Sequence, residues 1–208
     1  MPEPDAPRLR GVLHQIAFTA AAGAGVTLLA LSPWRWSVAV YVASLLTMLG
    51  VSAAYHRGTW GPRAAGWWQR ADHAAIFLCI AGSYTPLCAD VLGPVGRHLL
   101  AWVWIGAGLG IARALLWPGA PRAVVAGGYV ALGWVMLAAL PAVVAATSPL
   151  ALLLILGGGT LYSVGALIYA RRWPDPWPRT FGYHEVFHAL TVGAAALHFG
   201  AIALLTAA

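Results

Sequence analysis

The chain has 208 residues, 61% of them hydrophobic and only 9% charged, with a formal net charge of +6. A soluble domain carries about a quarter charged residues, so this composition excludes a water-soluble fold and places the chain in a bilayer. All twelve basic residues are Arg and sit at the ends of apolar segments, where anionic lipid is their partner and nucleic acid is excluded. The bias against Lys, with abundant Ala and Gly, suggests a GC-rich bacterial genome and hence a bacterial inner (cytoplasmic) membrane protein.

Seven apolar segments follow one another, bounded by Arg, Pro and Gly clusters. The first runs from about Val12 to Leu31 and stops at Ser32-Pro33-Trp34-Arg35. No small-residue cleavage signal follows it, so it reads as a retained span. The second runs from about Ser37 to Tyr55, and a polar loop is predicted from His56 to Arg70. The third runs from about Asp72 to Val91 and should kink at Pro86. The fourth covers about His98 to Trp117. The fifth covers Ala123 to Ala146, bent or frayed at Pro141. The sixth covers Pro149 to Ala170, and its Gly157-Gly158-Gly159 allows close contact with a neighbouring helix. A Pro- and Trp-rich loop, Arg171 to Thr180, precedes the seventh, which ends near Leu205. Each segment is near the ~20 residues needed to cross a bilayer.

The expectation is an all-α bundle of seven transmembrane helices forming a single domain over residues 1–208, with residues 1–10 a short cytoplasmic segment. Placing the N-terminus inside puts ten of the twelve arginines on the inner side. The positive-inside rule therefore gives a cytoplasmic N-terminus and an outside C-terminus. Cys79 and Cys88 fall in one predicted helix, roughly 13 Å apart. A disulfide spans about 7 Å or less, so they read as packing residues.

Ionisable residues inside spans mark functional sites, and their depths here coincide. The second segment brings His56 to its inner end with Ser52 one turn deeper. The third opens on the inner side with Asp72. The last opens on the same side with His184 and His188, four residues apart and so on one helix face. Three imidazoles leave a tetrahedral Zn²⁺ one open position, the arrangement of a catalytic site. A nearby carboxylate can orient or deprotonate a bound water. Singly, each residue has an ordinary reading: His56 as an interfacial histidine, Ser52 bonded within its own helix, Asp72 as a helix-start acid or N-cap. Their shared depth favours the site.

His184-Glu185-Val186-Phe187-His188 also reads H-E-x-x-H, the zinc-protease pattern. A metzincin continues with Gly and His where this chain has Thr191 and Ala194, and no acid follows Glu185. The protease reading is set aside, and Glu185 is expected to pair with an arginine such as Arg57 or Arg179, with assistance to the metal-bound water as the alternative. His73 points about 100° away from Asp72 and reads as a packing or headgroup residue. His198 lies roughly 15 Å beyond His188 and reads as a buried polar contact. His14 starts the first segment on the side of the site and reads as an interfacial residue, with a supporting place beside the metal ligands as the alternative.

Ser52-Ala53-Ala54-Tyr55-His56, Asp72-His73-Ala74-Ala75-Ile76-Phe77, Ala81-Gly82-Ser83-Tyr84-Thr85-Pro86 and Gly182-Tyr183-His184-Glu185-Val186-Phe187-His188 resemble the hemolysin III family, which belongs with the progestin and adipoQ receptors (PAQR proteins). The opening Pro7-Arg8-Leu9-Arg10-Gly11-Val12-Leu13-His14 is similar to the start of that family, and the likeness runs to about His198. Ala71 departs from the larger apolar residue expected before the Asp. The resemblance implies seven membrane helices and one zinc near the cytoplasmic side. It implies His56, His184 and His188 as the ligands, with Asp72 and Ser52 beside the metal-bound water. The wider group is similar to alkaline ceramidases, which implies hydrolysis of a lipid amide or ester. The alternatives are a non-enzymatic membrane-homeostasis, sensing or permeabilising protein clamped by a structural zinc, and bis-histidine haem ligation.

Overall fold

The computed structural model describes residues 7–33 and 35–206; residues 1–6 of the expected cytoplasmic segment lie outside the described residues. It contains eight α-helices: α1 Val12–Leu31, α2 Trp36–Arg57, α3 Pro62–Pro86, α4 Gly93–Leu116, α5 Arg122–Gly133, α6 Leu140–Ala146, α7 Pro149–Arg171 and α8 Tyr183–Thr206. A π-helical turn, Leu87–Val91, extends α3, and a 3₁₀ stretch, Val135–Ala139, joins α5 to α6. Seven spans long and apolar enough to cross a membrane result, with α5 and α6 sharing one. Large apolar side chains such as Leu31, Trp102, Leu109 and Leu116 face outward. A bundle whose exterior is apolar is a multi-pass membrane protein.

The helices close into a ring. α1 packs on α2, α2 on α3, α3 on α4, α4 on α5, α5 on α7, α7 on α8, and α8 returns to α1. α3 also touches α5 and α8 and so runs nearest the centre. One apolar cluster joins Val38, Tyr41, Leu45 and Leu49 of α2 to Ala75 and Cys79 of α3 and Ile202 of α8. A second joins Phe77, Tyr84 and Leu87 to Val103 and Ala107 of α4 and Met136 and Val143 of the fifth span. Cys79 and Cys88 are buried and unbridged within these clusters.

Two boundaries differ from the sequence expectation. The predicted loop from His56 to Arg70 is mostly helix: α2 continues through His56 to Arg57, and α3 begins at Pro62. Proline at the first turn is pre-set for a helix and gives up an N–H that has no partner there. Asp72 consequently lies in the third turn of α3, which removes the N-cap and helix-start readings. The fourth span starts at Gly93, with φ of 55°, ahead of the expected His98.

The prolines act where the sequence places them, through different geometries. Directly after Pro86 the helix widens into the π turn, in which Leu92 N reaches back to Leu87 O. Pro141 removes an N–H and crowds the carbonyl four residues back, that of Leu137. The fifth span tightens to 3₁₀ over Val135–Ala139 just ahead of it. Tyr84 repairs the break from outside. Its hydroxyl donates to Gly133 O at 2.6 Å and accepts from Met136 N at 3.1 Å. Gly158 does what the triple-glycine stretch implies: a Cβ there would collide with the His198 ring. His198 lies flush on α7 and bonds Ile155 O at 3.1 Å, the buried polar contact expected of it.

Candidate metal centre

The site lies at the end of the bundle where α2 finishes and α3 and α8 begin. The start of α8 is fixed by two carboxylates. Asp175 Oδ1 accepts from Tyr183 N at 2.8 Å, and Glu185 Oε2 reaches back to Gly182 N at 2.8 Å. The second is the acidic half of a capping box. With α8 set, His184 and His188 project from consecutive turns toward the last turn of α2.

Nitrogen atoms of His56, His184 and His188 lie within 4.8 Å of one another. His56 Nε2 and His184 Nε2 stand 3.2 Å apart and share a hydrogen bond. Zn–N bonds of about 2.0–2.1 Å in a tetrahedron separate ligand nitrogens by about 3.3 Å, so the first pair already has a ligand spacing. His188 is 2% exposed and its Nδ1 has no hydrogen-bond partner among the described residues. Three converging imidazoles, one with an orphaned nitrogen, fit a metal ion. His56 Nδ1 receives Arg10 Nε at 3.4 Å. Ligation through Nε2 puts the ring proton on Nδ1, and Arg10 must then turn toward Glu185.

Asp72 comes to the same place from α3. Its Oδ2 is 3.8 Å from His56 Nε2, and Ser52 lines the same small cavity beside it. Both residues are buried.

Residues ahead of α1 and in its first turn close over the site. Arg8 N and Leu9 N bond Arg179 O and Thr180 O, each at 3.1 Å, which staples the start of the chain to the loop before α8. Gly11, with φ of 76°, then lets the backbone pass directly over His56, where a Cβ would stand 2.6 Å from that of His56. This approach needs glycine for both the left-handed backbone and the space. It delivers Arg10 to Glu185 Oε1 at 3.9 Å and His14 onto His188. The two imidazoles stack at 3.8 Å between centroids, with 14° between planes.

Two sequence readings are thereby corrected. His14 is 2% exposed, a buried lid on His188 and not an interfacial residue, because the Gly11 turn folds α1 inward. Glu185 pairs with Arg10, not with Arg57 or Arg179, because the staple brings Arg10 to it. The signal for both was the opening Arg10-Gly11-Val12-Leu13-His14, read as a family likeness in which only His14 had a place beside the ligands, as the alternative to an interfacial one. His73 stays off the cluster: its carbonyl accepts from Tyr129 Oη at 3.3 Å, and its ring lines the neighbouring cavity.

Cavities flank the cluster on both sides. On the side of the chain start is a polar one of about 230 Å³, walled by Arg10, Gln69, Arg122, Tyr169 and Tyr183 and floored by His56, Asp72 and His184. On the other side three small cavities of about 30, 80 and 50 Å³ run in succession down the bundle. Met48, Ile76, Tyr129, Phe187 and Thr191 line both the first and the second. Tyr84, Trp134, Gly159 and His198 line both the second and the third. From His188 to Ile202, on the wall of the last, is about 21 Å along α8.

The fold and the cluster define a seven-span membrane protein with a histidine site able to hold a metal ion between its helices. The model of Haemolysin-III related proteins matches residues 4–199, and the chain belongs to that family. Hemolysin-3 of Bacillus cereus is 34% identical over 131 residues, 62% of this chain and 56% of that protein. The Hemolysin-3 homolog of Bacillus subtilis (strain 168) is 33% identical over 129 residues, 62% of this chain and 58% of that protein. The alignments thus span less than two thirds of either relative.

Proposed function

We propose that the protein is a zinc-dependent hydrolase of a lipid amide or ester, with His56, His184 and His188 as ligands and Asp72 as the base. The observation that carries this reading is the position of the histidine cluster, between a polar cavity and a row of small, mostly apolar cavities. An amphiphile lying along that path sets its head in the first, its acyl chain in the second and its carbonyl carbon at the cluster. A zinc ion held there supplies a water acidified toward neutrality and a Lewis acid for the carbonyl.

The chain's own residues supply the remainder. Asp72 takes the proton of the attacking water as the new C–O bond forms. It returns a proton to the departing nitrogen or oxygen as the C–N or C–O bond breaks. Ser52, buried beside Asp72 in the same cavity, is a positioning residue. His14, stacked on His188, orients that ligand, and Arg10, turned to Glu185, lines the polar cavity beside His56. The chain sits in the bacterial cytoplasmic membrane with the histidine end inward, a reading supported by its arginine distribution and by the bacterial relatives.

The alternative is a metal clamp without turnover, in a protein that senses or permeabilises the membrane. The joining of α2 to α8 through the cluster supports it, as does the name carried by the Bacillus cereus relative. Purified protein in detergent, loaded with zinc, should release fatty acid from acyl-amide or acyl-ester lipids. Zinc-loaded protein that releases none, whose Asp72→Asn variant keeps metal and cellular activity, establishes the clamp.

A further inference from the structure

We propose that the polar cavity above the histidine cluster is a binding site for an anionic headgroup, carboxylate or phosphate, and that Arg122 is the residue that recognises it. The inference rests on the hydrolytic reading and narrows its substrate class. The substrate is an amphiphile with an acyl chain on one side of the scissile bond and an anion a few bonds away on the other. A lipid with a neutral head leaves Arg122 unanswered.

The charges around this cavity are unevenly settled. Arg10 is committed, lying 3.9 Å from Glu185 Oε1 and 3.4 Å from His56 Nδ1. Glu185 is held by Arg10 and by Gly182 N, and Asp175 is held by Tyr183 N. Asp72 lies at the floor, beside His56. His73, His184 and the phenols of Tyr55, Tyr169 and Tyr183 complete the titratable groups on the wall. Arg122, at the start of α5, faces no carboxylate within 4.0 Å among the described residues. It gives one N–H to Tyr183 Oη at 3.1 Å. A guanidinium has five N–H donors in a fixed planar fork, so this one bond leaves most of the capacity of a cavity-lining residue open.

Arg122 is also aimed. An arginine at a membrane boundary normally reaches outward to lipid phosphates, whereas this one is folded inward over two rings. Its Cζ lies 5.5 Å from the Tyr169 centroid and 5.8 Å from that of Tyr183. Stacking of this kind fixes the plane of the fork and leaves its edge free for bidentate recognition of a carboxylate or phosphate. The same two rings stand edge-on to His184, at 6.0 and 6.1 Å between centroids. The anion site is thus one aromatic ring away from the metal centre. Asp72, His73, Tyr169 and His184 border both the polar cavity and the first apolar one, so a single molecule reaches from one to the other past the cluster.

A pair of probes isolates the anion. N-lauroylglycine and N-lauroylethanolamine share chain and amide and differ in a carboxylate against a hydroxymethyl. Binding to the full chain in neutral detergent should favour N-lauroylglycine by about tenfold or more, the effect of one charge-assisted contact. Arg122→Gln should erase the preference while leaving the affinity for N-lauroylethanolamine unchanged, and Arg122→Lys should keep part of it. His188→Ala should retain the preference, since recognition does not pass through the metal. Lauroyl lysophosphatidic acid should compete with N-lauroylglycine, and millimolar inorganic phosphate should not. In turnover, Arg122→Gln should raise KM for N-lauroylglycine and spare kcat. Equal binding of the two amphiphiles by the wild type, or a preference that survives Arg122→Gln, overturns the site. Displacement by inorganic phosphate alone overturns the lipid as its occupant. A preference with no hydrolysis of either probe leaves the site standing and removes the hydrolytic reading.

Discussion

The imidazole of His14 lies flat against that of His188, 3.8 Å between centroids, and neither nitrogen of His14 has a hydrogen-bond partner among the described residues. The contact is therefore one of faces. Its consequence is to fix the orientation of His188 from the side away from the cluster. His14→Ala should lower zinc affinity about 10–100-fold, the usual effect of removing a group that orients a ligand. His14→Phe keeps a flat ring and drops two unpaired polar atoms, so it should hold zinc nearly as well and unfold at the same or a higher temperature. Zinc titration and thermal melts of the two variants check this. An alanine variant with wild-type affinity removes the orienting role.

Glu185 separates this site from the zinc-protease pattern that its sequence spells. Its carboxylate is spent on Gly182 N and Arg10. Gln preserves the capping half of that arrangement, so Glu185→Gln should keep metal and hydrolysis while losing the Arg10 ion pair. Glu185→Ala loses both and should be the less stable variant, by about 1 kcal/mol for the cap alone. Turnover that vanishes in Glu185→Gln with metal retained would make Glu185 the base.

Asp72 and Ser52 should differ in degree. Asp72→Asn retains size and position but cannot accept the proton of water, so turnover should fall by about 10²–10⁴ with zinc content unchanged. Ser52→Ala removes only a buried polar neighbour of Asp72, and the loss should be smaller. Metal content and kcat of the two proteins are the measurements; equal losses would contradict the assignment of Ser52 to positioning.

Tyr84 should matter to the fold and not to the metal. Its hydroxyl pairs backbone groups left open by the break ahead of Pro141. Tyr84→Phe should cost about 1–3 kcal/mol of stability, the penalty for buried backbone groups left unpaired, with zinc content unchanged. Thermal unfolding beside metal analysis separates the two effects.

The seven spans were legible because a bilayer asks for long apolar runs and tolerates few charges between their ends. Where a helix begins was less so. Arg63 and Arg70 made the segment after His56 look like a loop, yet Pro62 opens a helix there, because arginines are at home on the first turns near a membrane surface. The approach of His56, His184 and His188 could be inferred from depth, since helix direction fixes which end of each span a residue occupies. Depth along the helix axis does not say which way a residue faces around it, nor what the chain does before its first helix. Arg10, Gly11 and His14 act through a left-handed turn at Gly11 and a backbone staple to Arg179 and Thr180, and no periodicity reports either.

Metal analysis of the purified wild type beside His188→Ala tests the account most directly. The account predicts close to one zinc per chain in the wild type and little or none in the variant, with the variant still folded. A wild type that carries no zinc after purification without chelator and reconstitution with the ion, or a His188→Ala protein that holds it equally well, would contradict it.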